Sequence, residues 1–325
     1  MWCLLMIKFE AVSKIYGDKK AVDNVSFNIN EGEFFVLIGP SGCGKTTTLK
    51  MINRLIPLSE GFIYFNDKPI SEYDVAEMRW DIGYVLQQIA LFPHMTIKEN
   101  IAQVPEMKKW KKKDIANRVD ELLTMVGLDP ETYRDRYPSE LSGGQQQRIG
   151  VIRALASDPP VVLMDEPFSA LDPISRKNLQ DDLLELQSQI KKTIVFVTHD
   201  IEEAMKMGDR ICLLNQGHVE QIGTTEDFIH RPKNDFVKSF IGNVDAHVLK
   251  QVKLGDIAQP ISEVNTHSID QYPKVSPEQT IDDIYGLLAE HEAIVMDSEN
   301  ASPSHIVTRQ YVFSYLAEKN RGVSS

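Results

Sequence analysis

The sequence predicts an α/β fold with a mainly parallel sheet over about its first 240 residues. Short apolar runs recur along this part, as in strands that are buried on both faces of a parallel sheet. Helical patterns lie between the runs, and two segments with alternating apolar residues precede them. The alternating segments are 7–12 and 21–29, and the apolar runs are 34–38, 82–86, 161–164, 193–197 and 211–214.

Composition and charge exclude several classes of protein. The 325 residues carry a net charge of −12, and an acidic excess argues against a general nucleic-acid-binding role. The longest apolar runs fall short of the roughly 18 residues that a membrane-spanning helix needs. The three cysteines lie far apart and predict neither a disulfide framework nor a metal site. We therefore expect a soluble protein of a reducing compartment.

The sequence also predicts a second, smaller domain. Residues 97–157 read as a helical subdomain of the first domain, and the composition changes after Gly242. Residues 245–325 alone carry a net charge of −6. Ser276 is expected to cap a helix, with proline at the first helical position. Strands at 293–296 and 305–308 and a last helix from about Tyr311 complete a small α+β unit.

A nine-residue segment directly after the run 34–38 matches the P-loop pattern G-x-x-x-x-G-K-[ST] between a strand and a helix. Its glycines allow successive backbone N–H groups to form an anion nest, and the helix that follows directs its positive end at the same phosphates. We expect Lys45 to reach the β- and γ-phosphates and the Thr46 hydroxyl to ligate Mg²⁺. The candidate nucleotide-binding residues are Gly39, Pro40, Ser41, Gly42, Cys43, Gly44, Lys45, Thr46 and Thr47.

Three further candidates follow later strands. Asp165 and Glu166 stand at the carboxyl end of the run 161–164, where ligands of open α/β sheets bind. We expect Asp165 to hold the Mg²⁺ shell and Glu166 to orient and polarise the attacking water. His199 follows the run 193–197 and would lie within reach of a γ-phosphate, although a lone histidine there is more often structural.

A glycine-rich segment at 141–145 completes a set of motifs that resembles the nucleotide-binding subunit of ABC transporters. The resemblance covers about residues 6–242, and residues 1–5 precede it, so that Met6 is an alternative start. It implies a RecA-like P-loop ATPase core that binds ATP and Mg²⁺. Its landmarks in order are the P-loop (39–46), the Q-loop Gln87, the signature (Leu141, Ser142, Gly143, Gly144 and Gln145), Walker B (161–166), the D-loop (169–172) and the switch His199.

The resemblance also implies roles for residues that the motifs alone do not explain. In this family the signature faces the γ-phosphate on the other subunit of a dimer, so each ATP site needs two chains. Gln87 would contact the Mg²⁺ and water site, and Asp172 would couple the two sites. Tyr16 would stack on adenine, with a core tyrosine as the alternative.

The segments 137–142, 170–176 and 179–183 resemble the quaternary-amine branch of bacterial importers, which take up glycine betaine, carnitine or choline. This implies a homodimer at the cytoplasmic face of the membrane, separate transmembrane permease subunits and a substrate-binding protein, and no nucleic acid. An importer of polyamine, sulfate or sugar, or a soluble ABC ATPase that acts on nucleic acid, are the alternatives.

The tail resembles a single CBS-like domain at 274–320, after a linker at 243–273. Thr308 fits the pattern that often binds a ribose, but Tyr311 replaces its acidic residue. Two interpretations stay open: a dimerisation and gating module that responds to ligand or ionic strength, and a packing domain without a ligand.

Overall fold

The computed structural model describes residues 5–169, 171–242, 254, 259–260, 272–280, 282–296, 305–308 and 311–312. The chain divides into two compact units, residues 1–237 and 238–325. The segment 297–304 between the two predicted strands, most of the predicted linker at 243–273 and the predicted last helix beyond 312 lie outside the described residues. The boundary at 242 and the CBS-like assignment of 274–320 stay predictions.

The first unit contains two sheets, whose strands are Leu5–Tyr16 (β1), Lys19–Asn30 (β2), Phe34–Ile38 (β3), Glu60–Phe65 (β4), Lys68–Pro69 (β5), Ile82–Val85 (β6), Val161–Asp165 (β7), Thr193–Val197 (β8), Arg210–Asn215 (β9) and His218–Gly223 (β10). One sheet is antiparallel, with the strand order β2-β1-β4-β5. The other has the order β10-β9-β3-β8-β7-β6, and its strands are parallel apart from the β9–β10 pair. The prediction of an α/β fold with a mainly parallel sheet is confirmed.

Most of the helices up to residue 241 lie between these strands, the last two follow β10, and several begin at a side-chain cap. Residues 97–157 are helical without a strand, as expected. Thr96 and Glu99 form a capping box that satisfies N–H groups at the start of its first helix. The helices are Lys45–Ile52 (α1), Val75–Trp80 (α2), Ile97–Met107 (α3), Lys112–Met125 (α4), Pro130–Tyr133 (α5), Gly143–Leu155 (α6), Pro173–Ile190 (α7), Ile201–Met207 (α8), Thr225–His230 (α9) and Asp235–Ile241 (α10).

One hydrophobic core joins the two sheets of the first unit. Phe27 of β2 stacks on Phe9 of β1 and on Phe35 of β3, with ring centroids 4.3 and 5.5 Å apart. Every residue of β3, β7 and β8 is buried. Because β8 lies between β3 and β7 in one parallel sheet, the loops that leave these three strands start side by side at the same edge.

The second unit has a sheet of the strands Gln259–Pro260 (β11), Lys274–Val275 (β12), Ala293–Met296 (β13) and His305–Thr308 (β14), in the order β11-β14-β13-β12. The predicted strands at 293–296 and 305–308 are therefore confirmed. Helix Tyr285–Glu290 (α11) lies between β12 and β13, and Ile284 and Leu288 are buried in the core of this unit.

The prediction that Ser276 begins a helix is wrong. Its backbone carbonyl accepts a hydrogen bond from the Gln279 N–H at 3.1 Å, and its N–H donates to the Gln279 side chain at 2.9 Å, which closes a turn. A second cap follows, because Thr280 and Asp283 bond each other's N–H groups. The helical segment accordingly starts with a 3-10 turn at Asp282–Ile284. Across both units, none of the described helices is long and apolar enough for a membrane span.

Candidate functional site

The P-loop connects β3 to α1 in a conformation that requires glycine. Gly39 and Gly44 have φ angles of 148° and 109°. A Cβ at Gly39 would overlap the backbone carbonyl of Leu214 on the neighbouring strand β9, and one at Gly44 would lie 2.5 Å from the carbonyl oxygen of Ala21. Gly44 is also the N-cap of α1, which begins at Lys45. The loop is thus a backbone cradle at a helix N-terminus, as a bound phosphate requires.

Lys45 is folded back into this cradle. Its Nζ donates to the carbonyl oxygens of Gly39 at 2.7 Å and Pro40 at 3.1 Å. Cys43 is buried beside it, and burial raises the pKa of the Cys43 thiol. A neutral thiol, a lysine ammonium and a ring of N–H groups suit a polyanion such as a triphosphate. The residues of the loop therefore fit ATP.

Asp165 is the carboxylate that lies closest to the P-loop helix. The Thr46 Oγ1 donates to Asp165 Oδ1 at 2.8 Å, which brings together two of the three side chains that the sequence assigns to Mg²⁺. The third, Gln87, contacts Glu166 instead. Mg²⁺ in nucleotide sites usually takes one or two carboxylates and completes its shell with water and phosphate. One buried carboxylate and one hydroxyl fit this requirement.

Two residues that the sequence analysis missed hold the other oxygen of Asp165. The Tyr84 hydroxyl lies 3.3 Å and Lys50 Nζ 3.5 Å from Asp165 Oδ2. Burial raises the pKa of Tyr84, so the phenol stays protonated and remains a donor. Tyr84 lies in β6, which pairs with β7, and the sequence alone carried no signal of this contact, because it depends on the pairing of two strands that are distant in sequence.

Glu166 is the centre of a second group of predicted residues. Its Oε2 lies 3.3 Å from Gln87 Nε2 and 3.3 Å from His199 Nδ1. Its backbone is left-handed with φ 47°, and its N–H donates to the carbonyl of Val197 at the end of β8. The strained residue turns its carboxylate towards the segments that follow β6 and β8. Gln87, Glu166 and His199 are thus brought together.

The signature segment lies in a different part of the first unit, on the helical subdomain. Ser142 caps α6, because its hydroxyl accepts from the Gln145 N–H while Gln145 Oε1 accepts from the Ser142 N–H. Gly143 and Gly144 form the first turn behind this cap, where a Cβ at Gly143 would meet nothing within 4 Å. Helix α6 therefore begins within the signature and presents its N-terminus there.

Asp172 and Tyr16 are two predicted site residues with contacts of their own. Asp172 caps α7 through the N–H groups of Ile174 and Ser175, and its hydrogen bond to Ser175 lowers the pKa of Asp172. Tyr16 ends β1 and is 49% exposed, with Lys14 Nζ 4.8 Å from its ring centre. An exposed ring is available for stacking, which argues against the core alternative. Ala170 of the D-loop lies outside the described residues.

Comparison with known proteins agrees with this geometry. The model of the family "ABC transporter" matches residues 22–169. The osmoprotectant import ATP-binding protein OsmV of Salmonella typhimurium is 46% identical over 317 residues, 94% of this chain and 80% of that protein. The glycine betaine/carnitine/choline transport ATP-binding protein OpuCA of Bacillus subtilis is 57% identical over 238 residues, which cover 73% of this chain but only 62% of the relative.

A solved structure matches the first unit as well. It is the dimeric structure of a post-hydrolysis state of the ATP-binding cassette MJ0796 bound to ADP and Pi, which is 37% identical. The match has a TM-score of 0.60 and covers 68% of this chain and 99% of the other. The chain belongs to the family of ABC transporter ATP-binding proteins.

Proposed function

We propose that the chain is the ATP-hydrolysing subunit of an importer for a quaternary ammonium osmoprotectant such as glycine betaine, carnitine or choline. One observation carries the catalytic part: a P-loop and two adjacent acidic residues meet at one edge of the parallel sheet. The solute class rests on the printed names of OpuCA and OsmV, with which this chain shares 57% and 46% identity.

The arrangement supports hydrolysis by a water molecule that Glu166 activates. The Glu166 carboxylate lies 3.3 Å from both Gln87 and His199, and these two partners fix its direction. The Glu166 side chain is 20% exposed, so water can reach it. A positioned general base contributes about 10²–10⁴-fold to a rate. His199 would support the γ-phosphate side of the reaction from the position at the end of β8.

The nucleotide would be held by the P-loop, by Tyr16 and by side chains around Asp165. The P-loop N–H groups and Lys45 would bind the phosphates, Tyr16 would stack on adenine, and Thr46, Asp165 and Gln87 would bind Mg²⁺. When bound, Mg²⁺ neutralises negative charge on the phosphates. The Lys45 ammonium would exchange two backbone carbonyls for phosphate oxygens, which are stronger acceptors.

The chain is proposed to act as a homodimer. The hydrogen bonds of Ser142 and Gln145 connect the signature to its own helix and to Tyr133 of the same subdomain. They leave the N-terminus of α6 as a second anion site, which can serve the P-loop of another copy. Closed two-fold symmetry then completes both sites at once.

The partners follow from the transport role. Separate transmembrane permease subunits and a substrate-binding protein would supply the pore and the solute site, with this chain bound at the cytoplasmic face of the membrane. Its work is then to couple ATP hydrolysis to movement of those subunits.

Solute uptake tests this proposal. A strain that lacks the gene would receive the wild-type chain or a Lys45→Ala variant, and uptake of labelled glycine betaine, carnitine and choline would be measured. We expect uptake of at least one of them with the wild type only. Uptake of polyamine, sulfate or sugar instead would assign another solute, and DNA-stimulated ATP hydrolysis without a membrane subunit would favour the nucleic-acid alternative.

A further inference from the structure

A buried carboxylate lies directly behind the His199 segment and has no part in the site described so far. Glu203 is in the first turn of α8, and only 6% of the residue is exposed. Its Oε2 accepts a hydrogen bond of 2.6 Å from the hydroxyl of Thr198, the residue before His199. Its Oε1 accepts one of 3.3 Å from Gln180 Nε2 on α7. Glu203 thus connects two segments that both lead to functional residues.

Arg176 of α7 completes the connection from the other side. Its Nε lies 3.9 Å from Glu203 Oε1, and its Nη1 lies 3.6 Å from Asp200 Oδ2. Its Nη2 donates to the carbonyl of Leu171 at 3.4 Å, so the same guanidinium also holds the D-loop backbone. Because Asp172 caps the helix that carries Arg176, the D-loop and the His199 segment share one set of polar contacts.

A polar cluster of this kind costs desolvation free energy that an apolar contact between the two helices would not. Glu203 is buried, whereas the Arg176 side chain is 32% exposed. Such a contact adds little net stability because desolvation offsets the attraction, and its best-attested role is to specify one arrangement. Burial raises the pKa of Glu203, and the Thr198 hydroxyl and the Arg176 guanidinium act in the opposite direction. Thr198 and Asp200, which follow β8, and Arg176 and Gln180 of α7 face Glu203. One small cavity is lined by Glu203, Thr198, Asp200 and Arg176 together with Glu166, Ser169 and His199.

We propose that Glu203 and Arg176 are positioning residues that fix the His199 segment and the D-loop in one relative geometry. Glu203 acts through Thr198, which sets the direction in which the backbone leaves β8 and so the place of the His199 ring beside Glu166. Arg176 acts through the carbonyl of Leu171 and through Asp200. The inference rests on the proposed ATP hydrolysis and adds two residues to the groups that control its rate.

The first test is Glu203→Gln, which keeps the shape but turns an amide N–H₂ towards the donors of Gln180 and Arg176. We expect kcat for ATP to fall about 10- to 100-fold, because a small displacement of a catalytic group has effects of that size. KM for ATP should stay within about twofold, since neither residue contacts the P-loop. Thr198→Val should reproduce the loss of kcat, and Glu202→Gln, on the exposed side of the same helix, should not.

The second test is a double-mutant cycle with Arg176→Gln. If the two residues act as one unit, the double variant should lose no more kcat than the worse single variant, whereas independent effects would multiply. Multiplied losses, or unchanged kcat in Glu203→Gln, would overturn the proposal. So would a loss that disappears after correction for the unfolded fraction, which thermal unfolding of each full-length variant measures.

A readout that does not depend on turnover separates this inference from the proposed function. In the full chain with isotopically labelled histidine, the ring signal of His199 is identified by its loss in His199→Gln. We expect that signal to shift in Glu203→Gln and Thr198→Val and to stay in place in Glu202→Gln. An unchanged signal would contradict the positioning role even if the wild type hydrolyses ATP, and a wild type without hydrolysis would contradict only the proposed function.

Discussion

Replacing Gly39 with alanine should disrupt the P-loop by a direct steric conflict. The new Cβ would overlap the carbonyl oxygen of Leu214 and lie 2.8 Å from Cys43 Sγ, whereas non-bonded carbon contacts are optimal at about 3.5–4.0 Å. Since Leu214 belongs to a buried strand, the loop would have to move, by about 1 Å or more. Misplacing two N–H groups that bond phosphate, each worth about 1.5–3 kcal/mol, costs about 3–6 kcal/mol. ATP affinity should therefore fall at least about 100-fold.

Gly42→Ala is the matched control in the same loop. Gly42 also has a positive φ, 76°, but a Cβ there would meet nothing within 4 Å. Only the left-handed strain of about 1–2 kcal/mol applies, and it is present with and without ligand. Equilibrium binding of a fluorescent ATP analogue to both variants measures the difference. Equal affinities for Gly39→Ala and wild type, or equal losses in both variants, would refute the steric argument.

Three further predictions concern the dimer, the metal site and a helix cap. Mixing the inactive variants Ser142→Arg and Glu166→Gln should restore about a quarter of wild-type hydrolysis. About half of the randomly paired dimers are mixed, and each mixed dimer holds one intact site out of two. No recovery of hydrolysis on mixing would contradict ATP sites that are shared between two chains. Tyr84→Phe removes the hydroxyl that lies 3.3 Å from Asp165 and should raise the Mg²⁺ concentration for half-maximal hydrolysis about 10-fold. An unchanged Mg²⁺ concentration would show that Tyr84 does not support the metal site. The Thr224 N–H and hydroxyl lower the pKa of Asp227 from its usual 3.8. The free energy of unfolding of wild type should therefore exceed that of Asp227→Asn at neutral pH, and this difference should disappear as the pH falls below 3.8. Denaturant unfolding at several pH values measures this difference, and a gap that widens in acid would contradict the sign.

The sequence was most informative where backbone chemistry alone fixes the structure. The apolar runs 34–38 and 193–197 coincide with β3 and β8, because strands buried on both faces must be apolar throughout. The glycine-rich conformation of the P-loop was predicted for the same reason, since few residue types tolerate positive φ angles. The predicted Thr46–Asp165 and Glu166–His199 groupings followed from the common edge of the sheet.

Other features depend on contacts between distant segments and could not be inferred in this way. Strands β4 and β10 were not predicted, because neither shows a clear alternation: β4 is apolar or aromatic at four consecutive positions, and β10 has two adjacent polar residues. They are stabilised by pairing with β1 and β9. Ser276 has every local feature of a helix cap, yet its turn ends at Gln279 and Thr280 caps the helical segment instead. The role of Tyr84 depends on a partner 81 residues away, which no local pattern specifies. Glu203 bonds the nearby Thr198, but its contact with α7 is to Gln180, 23 residues away.

The Glu166→Gln variant shows whether Glu166 is the general base for ATP hydrolysis by this chain, as we propose. Steady-state phosphate release by the purified variant should fall about 10²–10⁴-fold, since the amide cannot take a proton from water. ATP affinity should remain close to that of wild type, because the P-loop and Asp165 are unchanged, and Glu202→Gln should hydrolyse ATP normally. Phosphate release by Glu166→Gln at the wild-type rate would show that Glu166 is not the general base.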